Sequence, residues 1–391
     1  MNIVLTSNEL DTLKVYSKVY DYLSDKFTKA YFKLSKGELT YFLRGAQGTW
    51  RTIMQVDYDG APEYFSIDSK KWANALQKFA YADSINFSLQ KNLIKLSVDG
   101  NNDVINFGIS RYAEDTSEAA IMNTSFNLED NSYPFHLTLT DDVMDDLSLA
   151  SGLFISQSDV NSIGLGKKGV IYADRATILR TKFNNPIDDV FFTNLNEDEE
   201  YVYIHEYLIG LFQLLKRTNP EVSFNPSYDS FYWTDGVSEI ILAQEFRELS
   251  IPTQEEINSI IPKNKDSYFE VSLEELKNAL DFFTGFYEDS AWKPLTFTSV
   301  ANKEISLRYN HNQSDITKEL SVVCDYDGSF ILGSDSVRKI AMKVKDRRED
   351  TTDPLMVRFT FDNEALGVHC EIGNFCDVIF AKLEDDGEES V

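Results

Sequence analysis

Two spacings of apolar residues alternate along the chain, one typical of amphipathic helices and one typical of half-buried strands. Positions 85–89, 93–98, 239–243 and 356–361 alternate apolar and polar residues, which predicts antiparallel sheet. Helical spacing instead predicts helices with one face to bury, and it is clearest in three groups. These are Leu208, Leu211, Phe212 and Leu215; Leu273, Leu276, Leu280 and Phe283; and Val337, Ile340 and Val344.

One unit, made of a strand, a polar cap, a helix and two or more further strands, recurs six times along the chain. Alternate predicted helices lie roughly 130 residues apart, so two units make one domain. Polar interruptions near residues 125 and 253 predict domains at 1–125, 126–253 and 254–383, followed by an acidic tail at 384–391. The predicted fold class is α+β, with helices covering one face of antiparallel sheets. The six predicted helices begin near Ser7, Asp68, Thr140, His205, Ser272 and Ser334.

The composition is that of a folded chain, with 391 residues, 42% hydrophobic content and a formal net charge of −27. Such a charge repels nucleic acid overall, so DNA contact requires bases gathered on one surface. The first residues do not read as a signal peptide, and no apolar stretch approaches the roughly 18 residues of a membrane span. A cytoplasmic protein with no membrane partner is expected. Its three cysteines, Cys324, Cys370 and Cys376, fit no zinc spacing and are expected to be reduced.

Bases occur on five of the six predicted helices, opposite or beyond the apolar stripe, and are candidates for contact with DNA phosphates. The third helix departs from this pattern, because Asp145 and Asp146 place acid on it and no helix-capping role explains them. Solvated surface bases near helix ends are the alternative explanation for any one position. The candidates are Lys14, Lys18, Lys26, Lys70, Lys71, Lys78, Lys216, Arg217, Lys277, Arg338, Lys339, Lys343 and Lys345.

Signals of enzymatic chemistry are weak throughout the sequence. Glycines at 164, 166 and 169 fit the G-x-G-x-x-G pattern, but a strand-like run follows where a dinucleotide site needs a helix. The four histidines are scattered singly, and the clustered carboxylates suit caps and loops better than metal binding. We therefore expect no catalytic residue, metal or cofactor. Two alternatives stay open, a structural or virion protein built from duplicated modules and a metal-dependent nuclease.

Distinctive runs lie at the predicted domain joints, at 126–130 and 135–139 and at 251–252 with 260–264 and 269–280, and in the last strand at 376–383. These runs resemble those of the bacterial β sliding clamp family, and the resemblance extends over nearly the whole length. It implies a head-to-tail homodimer forming a ring, with helices inside and sheets outside. The implied partners are double-stranded DNA, bound without sequence preference, the replicative DNA polymerase and a clamp loader. The divergence of the chain suggests a bacteriophage member.

The resemblance also implies two protein-binding surfaces. For the seam of the dimer it points to Phe107 and Ile109 of an edge strand, meeting Phe282, Phe286 and Tyr287 of the partner subunit. The other surface is an apolar pocket between the second and third domains that captures linear peptides. Its candidates are Ile163, Leu165, Asp174, Arg175, Thr177, Ile178, Pro252, Ile260, Ile379, Phe380 and Ala381.

Overall fold

The computed structural model of the protein describes most of the chain. The described residues are 2–6, 29–45, 48–79, 81–98, 102–123, 133, 135–153, 162–174, 176–187, 201–225, 230–243, 252–283, 294–300, 304–311, 314–324, 328–348, 352–362 and 364–383. Within them, no helix is long and apolar enough to cross a membrane.

The described residues form seven helices. These are α1 (Ser69–Lys78), α2 (Ser117–Asn123), α3 (Asp141–Leu153), α4 (Glu206–Leu215), α5 (Gln254–Ile260), α6 (Leu273–Phe283) and α7 (Ser334–Lys343). The strands up to β13 are β1 (Asn2–Leu5), β2 (Lys29–Ser35), β3 (Glu38–Gly45), β4 (Gly48–Gln55), β5 (Glu63–Asp68), β6 (Ile85–Leu89), β7 (Leu93–Ser97), β8 (Val104–Gly108), β9 (Ser110–Tyr112), β10 (Phe135–Thr138), β11 (Ser162–Gly166), β12 (Val170–Ala173) and β13 (Thr177–Thr181). The remaining strands are β14 (Tyr201–Tyr203), β15 (Glu221–Asn225), β16 (Ser230–Thr234), β17 (Ser238–Ala243), β18 (Tyr268–Ser272), β19 (Pro294–Val300), β20 (Glu304–His311), β21 (Ser314–Ser321), β22 (Val323–Cys324), β23 (Ser329–Gly333), β24 (Met356–Thr360), β25 (Gly367–Ile372) and β26 (Cys376–Ala381).

The chain divides into two compact units. Unit 1 comprises Met1–Leu139 and Tyr207–Phe246, and unit 2 comprises Thr140–Glu206 and Arg247–Val391. Unit 1 holds a four-stranded sheet, β1-β6-β7-β8, and a nine-stranded sheet, β10-β15-β16-β17-β4-β3-β2-β5-β9. Unit 2 holds a nine-stranded sheet, β14-β11-β12-β13-β26-β25-β24-β18-β22, and a four-stranded sheet, β21-β20-β19-β23. Every strand pair among the described residues is antiparallel, which confirms the predicted α+β class with antiparallel sheets.

The core of unit 1 lies between its two sheets. The indole ring of Trp72, on α1, packs against Phe32 and Tyr41 of the larger sheet. The same ring packs against Phe87 and Phe107 of the smaller sheet. Trp72 is fully buried, so α1 fixes one sheet against the other.

The core of unit 2 is built in the same way. Phe269 of the nine-stranded sheet stacks on Phe359 of its own sheet, and on Phe297 and Phe330 of the four-stranded sheet. All four rings are buried, and alternate residues along each strand supply them.

The two nine-stranded sheets share one plan, four strands from the predicted second domain joined edge to edge to five from another domain. In unit 1 the junction is β17 against β4, with Ile240 opposite Trp50. In unit 2 it is β13 against β26, with Ile178 opposite Ile379. Unit 1 and its nine-stranded sheet therefore extend across the predicted boundary at 125. Unit 2 and its nine-stranded sheet extend across the predicted boundary at 253. The three-domain division stays a prediction.

Five of the six predicted helices are present as α1, α3, α4, α6 and α7, and the sixth, near Ser7, falls outside the described residues. Three of the expected caps are made by side-chain oxygens that accept a backbone N–H three residues later. These are Asp68 for α1 at 2.9 Å, Thr140 for α3 at 3.3 Å and Ser272 for α6 at 3.2 Å. The short helices α2 and α5 were not predicted.

Candidate functional site

Among the described helices, the most basic faces belong to α1 in unit 1 and to α7 in unit 2. On α1, Lys70, Lys71 and Lys78 are exposed, while Trp72 and Leu76 point into the core. On α7, Lys343 is exposed and Arg338 and Lys339 are partly exposed. Both helices thus carry bases opposite a buried stripe, which is the arrangement expected for weak contact with phosphates.

The remaining predicted bases differ in their surroundings. Arg217 is exposed and Lys216 partly exposed in the turn after α4, and Lys277 is partly exposed on α6. Arg338 lies 3.5 Å from the carboxylate of Asp281 on α6, so part of its charge is neutralised. Lys14, Lys18 and Lys26 are outside the described residues.

The acidic residues of α3 have partners that the sequence did not reveal. Lys345 donates to Asp145 at 2.7 Å, and Arg347 donates from both terminal nitrogens to Asp146. The Asp146 and Arg347 side chains are 1% and 9% exposed, and the guanidinium also lies over the ring of Phe375. Asp145 and Asp146 therefore join α3 to the segment after α7, and Lys345 is already paired with Asp145.

Burial and ion pairing have opposite effects on the pKa values of Asp146 and Arg347. Burial raises the pKa of the Asp146 carboxyl, and the hydrogen bonds and charge of Arg347 oppose that rise. Burial acts to lower the pKa of the Arg347 guanidinium, but Asp146 outweighs it and raises that pKa. Arg347 therefore stays charged, and a change that removed Asp146 would leave a buried, unpaired cation.

An apolar cluster lies where β12, β13 and β26 meet α5 in unit 2. Its buried members are Ile171, Ala173, Ile178, Ile257 and Ile379, and the partly buried Tyr201, Ile260 and Ile261 pack against them. A capping box between Thr253 and Glu256 fixes the start of α5, because each side chain bonds the backbone N–H of the other residue. The cap sets the helix so that Ile257 and Ile260 face the strands.

The predicted peptide-pocket residues divide between the two faces of this sheet. Ile178, Ile260 and Ile379 belong to the apolar cluster. Thr177 and Phe380 are one strand position away from Ile178 and Ile379, so their side chains point to the opposite face. Ile163 and Leu165 share that opposite face, because they pair with Tyr172 and Val170. It is the face covered by α3, since the hydroxyl of Tyr172 donates to the Leu153 carbonyl at 3.1 Å.

The other predicted pocket residues lie around the β12–β13 turn and the ends of α5 and β26. Asp174 shapes the turn, accepting the N–H groups of Ala176 and Thr177 at 2.7 and 2.6 Å. Pro252 and Ala381 are partly exposed, and Arg175 is outside the described residues. The members that sequence reasoning missed are Ile171, Ala173, Tyr201, Ile257 and Ile261. The helical spacing of Ile257, Ile260 and Ile261 after the Thr253 cap was the available signal.

A polar group borders the apolar cluster on the same face. Asp377 accepts hydrogen bonds from Arg180 and His369, and Arg180 also donates to Gln254 of α5 at 3.2 Å. Burial acts to raise the pKa of the Asp377 carboxyl, but His369 and Arg180 outweigh it and lower that pKa. The carboxylate is thus held charged between two donors.

The predicted dimer residues lie at or near sheet edges. Among the described strands, β8 is one edge of the four-stranded sheet of unit 1, and β21 is one edge of that of unit 2. Phe107 of β8 points inward to Trp72, whereas Val104 is 45% exposed and Ile109 is partly exposed. Phe282 on α6 is 47% exposed, with the ammonium of Lys318 from β21 5.7 Å from its ring centre. Phe286 and Tyr287 are outside the described residues.

The glycine-rich run at 164–169 ends β11 and forms the turn of a hairpin with β12. A Cβ atom at Gly169 would lie 1.7 Å from the backbone oxygen of Thr181, so a close strand approach requires this glycine. Within the described ranges, no group of three His, Cys, Asp or Glu side chains is placed to hold a metal ion. Cys370 and Cys376 are buried and unbridged, and burial raises the pKa of both thiols.

Comparison with solved structures identifies the fold. DNA polymerase III subunit beta from Borrelia burgdorferi superposes with a TM-score of 0.66 at 11% identity, covering 98% of each chain. The DNA polymerase sliding clamp from Pseudomonas aeruginosa gives 0.69 at 10% identity, covering 98% of this chain and 99% of the other. The chain has the sliding-clamp fold. The beta subunit of DNA polymerase III from Thermotoga maritima gives 0.67 at 10% identity, with the same coverage.

No family model and no curated protein matches the sequence. The resemblance drawn from the domain joints is confirmed by the solved structures at the level of the fold. At identities of 9–11%, the roles of individual site residues do not transfer from these structures. They follow from the contacts that the residues make in this chain.

Proposed function

We propose that this chain is a DNA sliding clamp, a non-enzymatic homodimer that closes around duplex DNA and tethers the replicative polymerase. The observation that carries the proposal is the match to sliding clamps over 98% of the chain. The exposed bases of α1 and the basic face of α7 support it, because they stand out in a chain of net charge −27. A ring held on DNA by topology needs only weak contacts without sequence preference, and tighter binding would oppose sliding.

The apolar cluster under α5 is the proposed site for linear peptides from the polymerase and the clamp loader. Ile260, Ile261 and Tyr201 are its partly exposed members and offer an apolar surface beside the half-buried Pro252. The residues on the α3 face, Ile163, Leu165, Thr177 and Phe380, would support this surface from beneath the sheet. The clamp would act in the cytoplasm of a bacterium, and its divergence fits a bacteriophage protein replicating in that host.

The deciding experiment measures retention on DNA of defined topology. The purified chain is loaded onto nicked circular DNA with a candidate loader, and retention is followed before and after linearisation, with solution mass from light scattering. A dimer that stays on circles and leaves linear ends supports the proposal. A monomer indifferent to linearisation contradicts it and favours a structural protein built from duplicated modules.

A matched pair of variants tests the proposed DNA face. Lys70→Gln, Lys71→Gln and Lys78→Gln together remove the bases of α1, while Lys33→Gln, Lys36→Gln and Lys91→Gln remove as many charges elsewhere in unit 1. The first triple is expected to bind linear duplex DNA more weakly than the second at low salt, and the difference should shrink as salt rises, because fewer phosphate contacts release fewer counterions. Equal affinity of the two triples for duplex DNA at low salt would show that the lysines of α1 do not contact DNA.

A further inference from the structure

A cleft of about 640 Å³ opens at one end of the β11–β12 hairpin in unit 2. The segments 166–170 and 180–183 form its walls, with Pro186, Tyr201 and Asp377 completing the described lining. Its volume falls in the range of roughly 300–1,000 Å³ typical of pockets that bind small ligands or a few side chains. Neither the predicted DNA face nor the predicted peptide pocket included it.

The cleft lies on the sheet face opposite α3. Arg180 pairs with Asp377 across β13 and β26, and Tyr201 pairs with Gly166 across β14 and β11. These positions alternate with Leu179 and Val378, whose side chains share the face of Tyr172 toward α3. A ligand in the cleft would therefore meet unit 2 on the face turned away from α3.

Positive charge dominates the cleft although the whole chain is strongly acidic. Lys167, Lys168, Arg180 and Lys182 line it, and Asp377 is the one carboxylate among its described lining residues. Asp377 is already engaged by Arg180 and His369. Lys168 and Lys182 are exposed, and among the described residues no carboxylate lies within ion-pair distance of either ammonium. Within the described part of the chain, the two ammonium groups thus have no carboxylate partner of their own.

Apolar surface accompanies these lysines. The Phe183 side chain is 7% exposed at the base of the cleft, and Pro186 is exposed at its rim. Tyr201 lines the cleft and also packs against the apolar cluster under α5, so the two surfaces are continuous. Such a combination suits a peptide with both carboxylate and apolar side chains better than a nucleic-acid backbone, which carries phosphates without apolar side chains.

We propose that this cleft binds an acidic linear segment of a partner protein, with carboxylates on Lys168 and Lys182 and an apolar side chain beside Tyr201. The proposal goes beyond the DNA ring, because the cleft would bind such a segment even if the chain never closed around DNA. Its electrostatic part weakens with salt, since the two lysines are exposed and screened at ordinary ionic strength.

The test uses the full-length protein and a fluorescent, acetylated peptide of glutamates flanking one phenylalanine, followed by anisotropy. Lys168→Gln with Lys182→Gln is compared with Lys36→Gln and Lys91→Gln, which remove two exposed lysines from unit 1. The cleft variant is expected to weaken binding about threefold to thirtyfold at low salt, the loss expected for two exposed charge pairs. The control variant is expected to bind within about twofold of the parent chain.

Two further probes separate the possible ligands. The same peptide with glutamine in place of glutamate is expected to bind like the cleft variant, because it lacks the carboxylates. Single-stranded oligothymidylate is expected to show no loss on changing Lys168 and Lys182. The proposal is overturned if the acidic peptide fails to bind at low salt, if both lysine pairs have equal effects, or if only oligothymidylate depends on the cleft. Retention on circular DNA is measured in parallel. A chain that does not bind the peptide in the cleft is thereby distinguished from a chain that does not act as a clamp.

Discussion

At the scale of single residues, the pair formed by Asp146 and Arg347 is the most buried ion pair described in unit 2. Both side chains are almost fully buried and held by two hydrogen bonds. Breaking a buried pair from one side is costly because the remaining charge loses its partner without regaining water. Replacing both partners by apolar groups avoids that cost.

Arg347→Met is expected to lower the free energy of unfolding by about 3 kcal/mol or more, since Asp146 is left buried without its partner. The double variant Asp146→Leu with Arg347→Met should recover most of that loss. Urea unfolding followed by circular dichroism measures both changes. Lys345→Met is the matched control: Lys345 and Asp145 are 66% and 31% exposed, and their pair is worth less than about 1 kcal/mol. Similar losses for Arg347→Met and Lys345→Met would contradict the buried-pair account.

Asp377 gives a pH-dependent contribution whose sign follows from its lowered pKa. An unfolded Asp carboxyl titrates near pH 4, so the stabilisation is complete above about pH 5 and is lost as pH falls through the lower pKa of the folded state. Asp377→Asn should cost about 2 kcal/mol at pH 7, and the difference from the parent chain should shrink toward pH 2. Unfolding free energies between pH 2 and 7 measure this, with the exposed Asp83→Asn as control. A difference independent of pH would rule out the ion pair as its source.

Residue-level reasoning from sequence succeeded where the signal was local and failed where the partner was distant in the chain. The caps at Asp68, Thr140 and Ser272 are local, and all three are made. Asp145 and Asp146 had no visible role, because their partners follow α7, about two hundred residues later. Neighbouring residues of a strand point to opposite faces of the sheet, so the predicted pocket residues do not all lie on one face. Assigning residues by their position in a family's sequence does not account for this alternation.

At the scale of elements, α5 shows how a short connecting segment is stabilised as a helix. Seven residues are too few to form a stable isolated helix, so α5 depends on its capping box and on Ile257 packing against β12, β13 and β26. The sequence around 251–257 was interpreted as a polar interruption, because only one face of so short a helix is apolar. By contrast, the longer helices α6 and α7 show their stripes over three turns, and their positions were predicted.

Ile257→Ala is expected to lower the free energy of unfolding by about 2–4 kcal/mol, because it leaves a cavity under α5. It should also speed hydrogen exchange of the amides in 254–260, since the helix loses its main apolar contact. Asn258→Ala, one position along and exposed, is the matched control, with an expected loss below about 0.5 kcal/mol. Unchanged exchange in the Ile257 variant would show that the cap alone holds α5.

For the whole molecule, closure of the proposed dimer depends on which sheet edges are free to pair with a second chain. β1 and β8 are the two edges of the four-stranded sheet of unit 1, and Val4 and Val104 are 52% and 45% exposed on them. Both valines lie in one cross-strand row with Asn86 and Ser97. They therefore offer a matched comparison between the edge proposed for the dimer and the opposite edge.

If the chain forms the proposed dimer, Val104→Asp is expected to convert it into a monomer, because a carboxylate on an edge strand opposes pairing with another chain. Val4→Asp should leave the dimer intact while adding the same charge. Light scattering at several protein concentrations distinguishes the two variants. Dimers in both cases would place the seam of the ring elsewhere.

The junctions β17–β4 and β13–β26 also constrain how the protein is made. On a ribosome, β4 emerges long before β17, so the first nine-stranded sheet cannot close until about residue 243 has been synthesised. The second sheet waits longer, because β26 is nearly the last strand translated, yet it lies between β13 and β25 at the centre. Contacts between such distant segments slow folding and leave open strand edges in the nascent chain. Premature termination before residue 376 would remove a central strand, and with it the junction on which unit 2 is built.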